Sequence, residues 1–423
     1  MSFASLNLKP ALVQAIAASG YTAPTPVQSQ AIPEAIAGHD LMVSAPTGTG
    51  KTAAFVLPAL QRLSEPSAKS GRGPRLLVLT PTRELALQVT AAVDVYGKFM
   101  HRLRTGTVLG GMPYPKQRRL LDQPLDILVA TPGRLIDFMQ QGRVDFSRVE
   151  MLVLDEADRM LDMGFIKPVE QIAGATPAGR QTLMFSATLD GNIARLGRAL
   201  LRDPRLIEIA GAKAQHVNIE QRLHHVDDGS HKRRLLDHLL SDTALNQAIV
   251  FTATKRGADR LASDLHGSGH AAAALHGDMN QSQRNRTLAR VRNGSVRVLV
   301  ATDVAARGID VATLTHVINY DLPKVAEDYV HRIGRTGRGG ANGIAISFAA
   351  PDETSQLRQI ERYTGQAIGA HVVPGLEPTR SRERPRPAGR TFDRARRGNG
   401  APGFDRGSRD GGWRSQAGRG RSR

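Results

Sequence analysis

The chain has 423 residues, 40 % of them apolar, which is enough for two or three folded units of ordinary size. It has no cysteine, which excludes disulfides and thiolate metal sites. It also has no apolar run near the roughly 20 residues that span a bilayer, which excludes a membrane-spanning helix. Because residues 1–10 have no signal-peptide pattern, we expect a cytoplasmic protein. The net charge of +18 indicates a polyanionic partner, although a basic surface that only promotes solubility would carry the same charge.

Short apolar runs alternate with longer amphipathic stretches through the first half of the chain. This alternation is typical of parallel strands joined by helices, which is the doubly wound α/β class. The strands predicted in this half are residues 41–44, 76–80, 127–130, 151–154 and 182–185.

A glycine-rich segment follows the first predicted strand and precedes a helical run at residues 53–63. This order is the context of a P-loop, in which glycines let backbone N–H groups point at phosphate oxygens. Lys51 would neutralise the β- and γ-phosphates, and the Thr52 hydroxyl would bind Mg²⁺. A glycine-rich turn without a ligand is the alternative. The segment consists of Ala45, Pro46, Thr47, Gly48, Thr49, Gly50, Lys51 and Thr52.

An acidic cluster, residues 155–158, follows the predicted strand at 151–154. Asp155 at the strand end is well placed to hold Mg²⁺, often through water. Glu156 would orient and deprotonate the attacking water. Taken alone, such a cluster is more often a solvated helix start, but the P-loop upstream favours the catalytic interpretation.

The rhythm of strands pauses after about residue 208 and resumes in the second half, which has no second P-loop. We therefore predict two doubly wound parallel-sheet domains, residues 1–209 and 219–375, joined by a linker at 210–218. The strands predicted in the second half are residues 248–251, 272–275, 296–300, 316–319 and 344–348.

Three arginines lie among two glycines at residues 331–338. Phosphoryl transfer needs positive charge at the transition state, and Arg335 and Arg338 are the candidates to supply it. A basic surface turn is the alternative. If these arginines face a P-loop on the other domain, hydrolysis requires the cleft between the domains to close.

The strand and helix periodicity ends after Gly375. Residues 376–423 contain 14 Arg, no Lys and 5 acidic residues, so they carry a charge of +9, half of the total. Their Gly, Pro and Ser content leaves too little apolar surface for a core, which predicts a disordered basic tail. We expect this tail to add electrostatic affinity for nucleic acid, with Phe392, Phe404 and Trp413 as sparse stacking platforms.

In their order and spacing, these segments resemble the DEAD-box RNA helicases of helicase superfamily 2, over residues 3–348. The resemblance implies two tandem RecA-like domains, ATP and Mg²⁺ as cofactors, and RNA bound with little sequence preference. It departs from many members at Pro46, where Gln is usual. The short N-terminus and the Arg/Gly-rich tail are similar to bacterial members of the RhlE type.

Upstream of the P-loop, Phe3, Gly20, Tyr21 and residues 24–28 look like the Q motif of that family. The resemblance implies that the Gln28 amide reads the hydrogen-bonding edges of adenine and makes the enzyme specific for ATP. It also implies that an aromatic side chain packs on the base, with Phe3 and Tyr21 as candidates. A polar glutamine at a helix start is the alternative for this segment alone.

Other segments resemble the RNA-contacting motifs of the family, and their small hydroxyls, arginines and exposed N–H groups suit phosphate contacts. Each segment taken alone would be a turn or a helix cap. The residues that the resemblance assigns to RNA are Pro81, Thr82, Arg83, Gly110, Gly111, Thr131, Pro132, Gly133, Arg134, Gln281, Arg284 and Thr302.

The last motifs are assigned by the resemblance to ribose binding and to coupling between the sites. Gly308 and Asp310 would approach the ATP ribose. The hydroxyls of Ser186 and Thr188, after the predicted strand at 182–185, would hydrogen-bond Asp158. A simple helix N-cap is the alternative for these hydroxyls. Arg307 and His331, both in the second half of the chain, would link the two domains. The residues assigned to coupling are Asp158, Ser186, Thr188, Arg307 and His331.

The predicted function is ATP-dependent RNA unwinding, in which ATP and single-stranded RNA close the cleft and one strand is held in a path that a duplex cannot follow. Three alternatives remain open. The chain could be an ATP-gated RNA clamp with little unwinding, a DNA translocase with the same core, or an RNA chaperone whose tail anneals strands without ATP.

Overall fold

The computed structural model describes residues 2–379 except 47, 68, 102, 190, 210–217, 244, 307–310, 312 and 338–340. The tail from residue 380 onwards and nearly all of the predicted linker therefore lie outside the described residues. So do five predicted site residues: Thr47, Arg307, Gly308, Asp310 and Arg338.

The first domain alternates strands and helices along the chain, after a 3-10 turn at Phe3–Leu6. Its strands are β1 (Leu41–Ser44), β2 (Leu76–Leu79), β3 (Thr105–Val108), β4 (Ile127–Ala130), β5 (Met151–Leu154), β6 (Gln181–Ser186) and β7 (Arg205–Glu208). Its helices are α1 (Pro10–Ala18), α2 (Pro26–Ile36), α3 (Lys51–Leu63), α4 (Arg83–Tyr96), α5 (Tyr114–Leu121), α6 (Pro132–Gln140), α7 (Ala157–Asp162), α8 (Ile166–Gly174) and α9 (Gly191–Leu200).

These strands form one parallel sheet in the order β3-β4-β2-β5-β6-β1-β7. Every residue of the central strands β2, β4 and β5 is buried, as expected where helices cover both faces of a parallel sheet. Two apolar clusters pack on the sheet, one with α1–α4 and one with α6–α9. The predicted doubly wound architecture is confirmed.

The second domain repeats this architecture, and its helices and strands complete the described fold. Its strands are β8 (Ile219–His225), β9 (Ala248–Phe251), β10 (Ala272–Leu275), β11 (Val298–Ala301), β12 (His316–Asn319), β13 (Gly343–Ala349) and β14 (Gly369–Ala370). Its helices are α10 (Gly229–Leu240), α11 (Lys255–Gly267), α12 (Gln281–Arg292), α13 (Asp303–Ala306), α14 (Ala326–Ile333) and α15 (Thr354–Thr364), with a 3-10 turn at Pro351–Glu353.

The second sheet is also parallel, in the order β10-β11-β9-β12-β13-β8-β14, which is the order of the first sheet strand for strand. In this correspondence β8 takes the place of β1, and β12 takes the place of β5. Among the helices that the structure describes, none is both long enough and apolar enough to cross a membrane.

The sequence missed four strands: β3, β7, β8 and β14. Three of them lie at sheet edges, where one side of the strand has no neighbour and a strongly apolar run is not required. The fourth, β8, has the mixed sequence IEQRLHH and pairs with the short edge strand β14. The predicted strand at 296–300 was also wrong by two residues at its start, since β11 begins at Val298.

The predicted start of the tail at residue 376 needs a correction. Leu376 packs against the second-domain core, and its carbonyl lies 3.0 Å from His231 Nε2. Thr379 donates from its backbone N and from Oγ1 to Asp227 Oδ2, both at 2.8 Å. The compact unit therefore runs to Thr379, and the tail begins at residue 380.

Candidate active site and nucleic-acid surface

The strand order sorts the predicted motifs into two groups along the carboxyl edge of the first sheet, where ligands bind in open parallel sheets. The adjacent strands β1, β6 and β5 lead into residues 45–52, 186–188 and 155–158, which are the nucleotide and coupling motifs. The adjacent strands β2, β4 and β3 lead into residues 81–86, 131–134 and 110–111, which the resemblance assigns to RNA. The two sets of motifs thus occupy separate halves of one edge.

The P-loop forms the turn from β1 to α3. Gly48 and Gly50 have φ of +83° and +88°, a region that glycine adopts without the strain a Cβ would bring. Lys51 is 7 % exposed, and its Nζ donates to the carbonyl of Ala45 at 2.8 Å. The N-cap of α3 is Gly50, which has no side chain to satisfy the first N–H groups of the helix. An anion can therefore bind at this helix start.

The corresponding turn of the second domain, from β8 to α10, has a different chemistry. Asp228 caps α10, because its Oδ1 accepts hydrogen bonds from the backbone N of Ser230 and of His231, both at 2.9 Å. A carboxylate in this place satisfies the N–H groups and repels phosphate. The second domain therefore lacks a P-loop for a physical reason as well as by sequence.

Gln28 connects the Q motif to the P-loop. Its Oε1 accepts from the backbone N of Thr25 at 3.0 Å, and its Nε2 donates to the carbonyl of Gly50 at 3.1 Å. A Cβ at Gly50 would clash with this amide, so glycine is needed there for the close approach as well as for φ. Gln28 thus lies at the start of α2 and accepts from the backbone of its N-cap residue, as the helix-start interpretation predicts. The reading of adenine remains a prediction.

The two aromatic candidates for packing on the base differ in exposure. Phe3 is buried in the apolar core of the first domain. Tyr21 is 54 % exposed, with its ring centroid 6.4 Å from that of Tyr96. Of the two, Tyr21 has the surface that a stacked base would need.

The acidic cluster is buried at the end of β5. Burial, and next the charge of Glu156, raise the pKa of Asp155 to about 7, against the opposing effect of Lys51. Glu156 has φ of +54°, in the left-handed region that strains a residue with a side chain. Backbone strain of this kind concentrates at functional sites, where surrounding structure maintains it. The two predicted catalytic carboxylates therefore lie together, next to the P-loop lysine.

The predicted link from the acidic cluster to residues 186–188 is present, but it uses the backbone. Ala187 donates from its backbone N to Asp158 Oδ2 at 2.9 Å. Ser186 Oγ accepts from the backbone N of Thr188 at 3.4 Å, as a local turn would place it. Among the described contacts, Asp158 is therefore bound by the backbone amide of Ala187 and not by the hydroxyls of Ser186 and Thr188.

The RNA motifs of the first domain hold one another in place. Thr82 caps α4 by accepting from Leu85 N at 3.3 Å. Thr131 Oγ1 accepts from the backbone N of Gly110 at 3.2 Å. Arg134 donates from Nη1 to the carbonyl of Met112 at 2.9 Å, and its guanidinium covers the ring of Tyr114 at 3.8 Å. Arg134 thus supports the turn at residues 110–112 in this structure.

Gln281 and Arg284 were predicted to bind RNA, but both contact the first domain. Arg83 donates from Nη1 to Gln281 Oε1 at 2.5 Å. Arg284 donates from Nε and Nη2 to Glu84 Oε1 at 3.1 and 2.7 Å, and from Nη2 to the carbonyl of Ala305 at 3.2 Å. The RNA-side edges of the two domains are therefore joined by an amide contact and an ion pair.

Thr302 is buried at the end of β11, where its backbone N donates to Leu275 O at 3.3 Å. Arg335 is also buried, and its Nε donates to the carbonyl of His331 at 3.1 Å. His331 and Arg335 line a small cavity together with Arg159 of the first domain. The predicted arginine finger and the predicted linking histidine therefore both reach the domain boundary.

Sequence reasoning missed Arg332, which organises this part of the second domain. Its Nε and Nη2 donate to the carboxylate of Asp303 at 2.5 and 2.8 Å, and Nη1 donates to Asn319 Oδ1 at 3.1 Å. Its guanidinium lies 4.9 Å from the ring centroid of Phe251. Nothing in the sequence separates this structural arginine from its neighbour Arg335.

The donor set near the P-loop suits Mg²⁺, which prefers oxygen ligands and keeps part of its water shell. Asp155 and Thr52 offer a carboxylate and a hydroxyl, and the raised pKa of Asp155 is that of a buried carboxylate that a cation would stabilise. Within the described residues no three His, Cys, Asp or Glu side chains form a metal cage. A cation here would take most of its ligands from phosphate and water.

The chain matches two protein families along its folded part. Residues 25–196 match the family described as DEAD/DEAH box helicase, and residues 231–340 match the helicase conserved C-terminal domain. It is 43 % identical over 377 residues to the ATP-dependent RNA helicase SrmB of Haemophilus influenzae, covering 89 % of this chain and 86 % of that protein. It is 44 % identical over 378 residues to the ATP-dependent RNA helicase RhlB of Pseudomonas syringae pv. tomato, covering 88 % and 95 %.

Solved structures of the same kind are similar in fold. S. cerevisiae Dbp5 bound to RNA and ADP BeF3 has a TM-score of 0.79 at 32 % identity, covering 88 % of this chain and 95 % of that one. The DEAD-box helicase Mss116 bound to ssRNA and UDP-BeF has a TM-score of 0.80 at 28 % identity, covering 89 % and 81 %. None of these relatives is named RhlE, so that narrower prediction is not confirmed. The chain belongs to the DEAD-box helicase family.

Proposed function

We propose that this chain is an ATP-dependent RNA helicase that couples ATP hydrolysis to the local unwinding of RNA. The observation that carries the proposal is the separation of the nucleotide motifs from the RNA motifs along one sheet edge, with the second domain contacting both halves. One change in the domain contact can therefore affect both ligands. The Dbp5 and Mss116 structures hold RNA together with a nucleotide analogue, which supports a closed arrangement of this kind.

ATP binds with its triphosphate at the start of α3, where the backbone of residues 45–52 and Lys51 face the phosphates. Gln28 and Tyr21 lie on the adenine side of the loop. Glu156 positions the attacking water and accepts its proton, while Arg335 and Arg338 of the second domain stabilise the charge that develops on the γ-phosphoryl group. Gly308 and Asp310 contact the ribose.

Mg²⁺, held by Thr52 and Asp155, would neutralise negative charge on the phosphates. The burial of Asp155 beside Glu156 supports this assignment, because two buried carboxylates are stabilised by a nearby cation.

Single-stranded RNA binds along the other half of the edge, across both domains. The contacts Arg83–Gln281 and Arg284–Glu84 hold the domains in the arrangement that bends the strand, and a duplex cannot follow that path. Phosphate release then lets the domains separate and frees the RNA. Because phosphates and 2′-hydroxyls are the groups recognised, the enzyme accepts RNA of many sequences.

Three further assignments belong to this proposal. The domains are residues 1–209 and 219–379, connected by residues 210–218. The basic tail adds affinity for RNA by releasing counterions from the phosphate backbone. The protein works in the cytoplasm.

Strand displacement tests the function directly. A labelled strand is released from a short RNA duplex with ATP, and far less with a non-hydrolysable analogue or with Glu156→Gln. Glu170→Gln serves as the matched control, since Glu170 is an exposed carboxylate on α8. RNA-stimulated ATP turnover without strand displacement would instead favour an RNA clamp. Equal stimulation of ATP turnover by DNA of matching sequence would favour a DNA translocase. Strand annealing without ATP would favour an RNA chaperone.

A further inference from the structure

Arg159 is a buried arginine directly beside the proposed base. It lies on α7, three residues after Glu156, and is 1 % exposed. Its Nη1 lies 3.1 Å from Glu156 Oε2. It directly follows the acidic cluster at residues 155–158 and is not one of the predicted site residues.

The guanidinium of Arg159 has an unusual environment for its depth. Neither Nη1 nor Nη2 donates a hydrogen bond to another group of the described residues, so the 3.1 Å contact is an ion pair whose N–H bonds do not point at the carboxylate. Arg75, which is also buried, donates from Nε and Nη2 to Glu150 at 2.8 and 2.9 Å and from Nη1 to the carbonyl of Glu65 at 2.8 Å. Burying a cation without aligned acceptors costs folding free energy, so the position of Arg159 calls for a functional explanation.

Side chains of the second domain enclose Arg159. The cavity between them has a volume of about 10 Å³, which admits at most one water molecule. It is lined, besides Arg159, by Phe251, Asp303, Ala306, Asp328, His331, Arg332 and Arg335. All of these belong to the second domain, so contact between the domains contributes to the burial of Arg159. When the domains separate, water reaches the guanidinium and weakens its attraction to Glu156.

We propose that Arg159 is a positioning residue for the hydrolytic reaction. In the closed arrangement Arg159 is already shielded from water, and when ATP and RNA bind there it turns its N–H bonds onto Glu156 Oε2 and fixes that oxygen, so that Oε1 faces the attacking water. A base oriented by a third group is a common arrangement in enzymes, and small errors in its position are expensive in rate. Closure of the domains thereby completes the base as well as bringing in Arg335. The proposal depends on Glu156 being the base.

Steady-state ATP hydrolysis at saturating RNA tests the proposal. Arg159→Met keeps most of the side-chain length and removes the charge, and we expect kcat to fall by about 10- to 100-fold, as a small misplacement of a reacting group does. The KM for ATP and the RNA affinity stay at their wild-type values, because Arg159 contacts neither ligand. Arg159→Lys restores the charge without the planar fork and gives an intermediate kcat. This variant also serves if Arg159→Met does not fold.

Two further variants separate positioning from stability. Arg75→Met removes a buried Arg–Glu pair at the opposite edge of the same sheet, and we expect a lower Tm with wild-type kcat for the folded protein. In single-turnover hydrolysis, adding Arg159→Met to Glu156→Gln produces no further loss, because the orienting group then has no base to orient.

The outcomes are distinct. A wild-type kcat for Arg159→Met overturns the proposal, and so does an equal loss of rate in the Glu156→Gln background. A parallel fall of Tm, RNA affinity and kcat in both Arg159→Met and Arg159→Lys would make the residue structural. If Glu156→Gln itself turns over at the wild-type rate, the assignment of the base is wrong and the positioning role falls with it.

Discussion

The ion pair between Arg284 and Glu84 should control how strongly nucleotide and RNA binding are coupled. It crosses the domain boundary, and the two side chains are only 11 % and 12 % exposed, so solvent screens it weakly. A hydrogen bond to a charged group contributes about 1.5–3 kcal/mol. We take about 2 kcal/mol for this pair, which is about 30-fold in the equilibrium between open and closed domains.

The assay is binding of labelled single-stranded RNA, measured with and without a non-hydrolysable ATP analogue. With the analogue, Arg284→Met should weaken RNA binding by about 30-fold, because closure loses the pair. Without nucleotide, RNA affinity should not change. Glu84→Gln should give a similar result, and the double variant should lose less than the sum of the two single losses. Arg286→Met is the matched control, since Arg286 is exposed on the same helix, α12.

The sequence-based assignment of Arg284 to RNA predicts a different result. A direct phosphate contact would be lost in both nucleotide conditions, and the salt dependence of RNA binding would become less steep. Equal losses with and without the analogue, together with a shallower salt slope, would therefore refute the domain-contact interpretation. An additive double variant would also refute it.

Four other results are expected. Glu156→Gln should lower ATP turnover by about 100-fold or more while binding a fluorescent ATP analogue, and wild-type turnover would contradict its role as base. Gln28→Ala should reduce the preference for ATP over GTP in competition, and an unchanged preference would leave Gln28 only its cap on α2. A chain ending at Thr379 should show a smaller dependence of RNA affinity on salt, and an unchanged slope would exclude the tail from binding. Burial, and then the charge of His371, lower the pKa of His224 to about 4. As pH falls, the unfolded chain therefore takes up this proton before the folded chain does, and the free energy of unfolding should decrease between pH of about 6.5 and 4. Urea unfolding of His224→Asn should show a smaller decrease over this range.

Central strands and the P-loop could be predicted from sequence because the pattern that reveals them is local. Strands such as β2 and β5 are buried on all residues, and this requires a continuous apolar run whatever the rest of the chain does. The turn at Gly48 and Gly50 needs positive φ, which glycine reveals directly. Edge strands and β8 have no such requirement, and their mixed sequences carried too little signal.

Contacts between the domains could not be predicted in the same way. Arg284 and Glu84 are 200 positions apart, and only the folded arrangement makes them neighbours. An arginine in a motif can serve phosphate, a carboxylate or a helix cap equally well, so its chemistry does not decide its partner. Arg159 is the extreme case, because the cavity beside it is otherwise lined by side chains of the other domain. Its sequence context, a charged residue on a short helix, predicts an exposed side chain.

The difference between the two P-loop positions has a consequence for energy coupling. Gly50 leaves the start of α3 open to phosphate, whereas Asp228 closes the start of α10 with its own carboxylate. Of these two corresponding turns, therefore, only the one at α3 lacks a side-chain cap, and Arg335 of the second domain lines the domain boundary instead. Both ligands then act on a single closing equilibrium.

That arrangement requires a reciprocal effect. If ATP raises RNA affinity by some factor, RNA must raise ATP affinity by the same factor, because both factors measure one coupling free energy. Arg284→Met contacts neither ligand in this interpretation, so it should reduce both factors equally. Measuring the affinity of the ATP analogue with and without RNA, in parallel with the RNA affinities above, tests this equality. Because equilibrium affinities must give equal factors, unequal values would mean that one of the measurements had not reached equilibrium; equal factors of wild-type size in Arg284→Met would contradict the domain-contact interpretation.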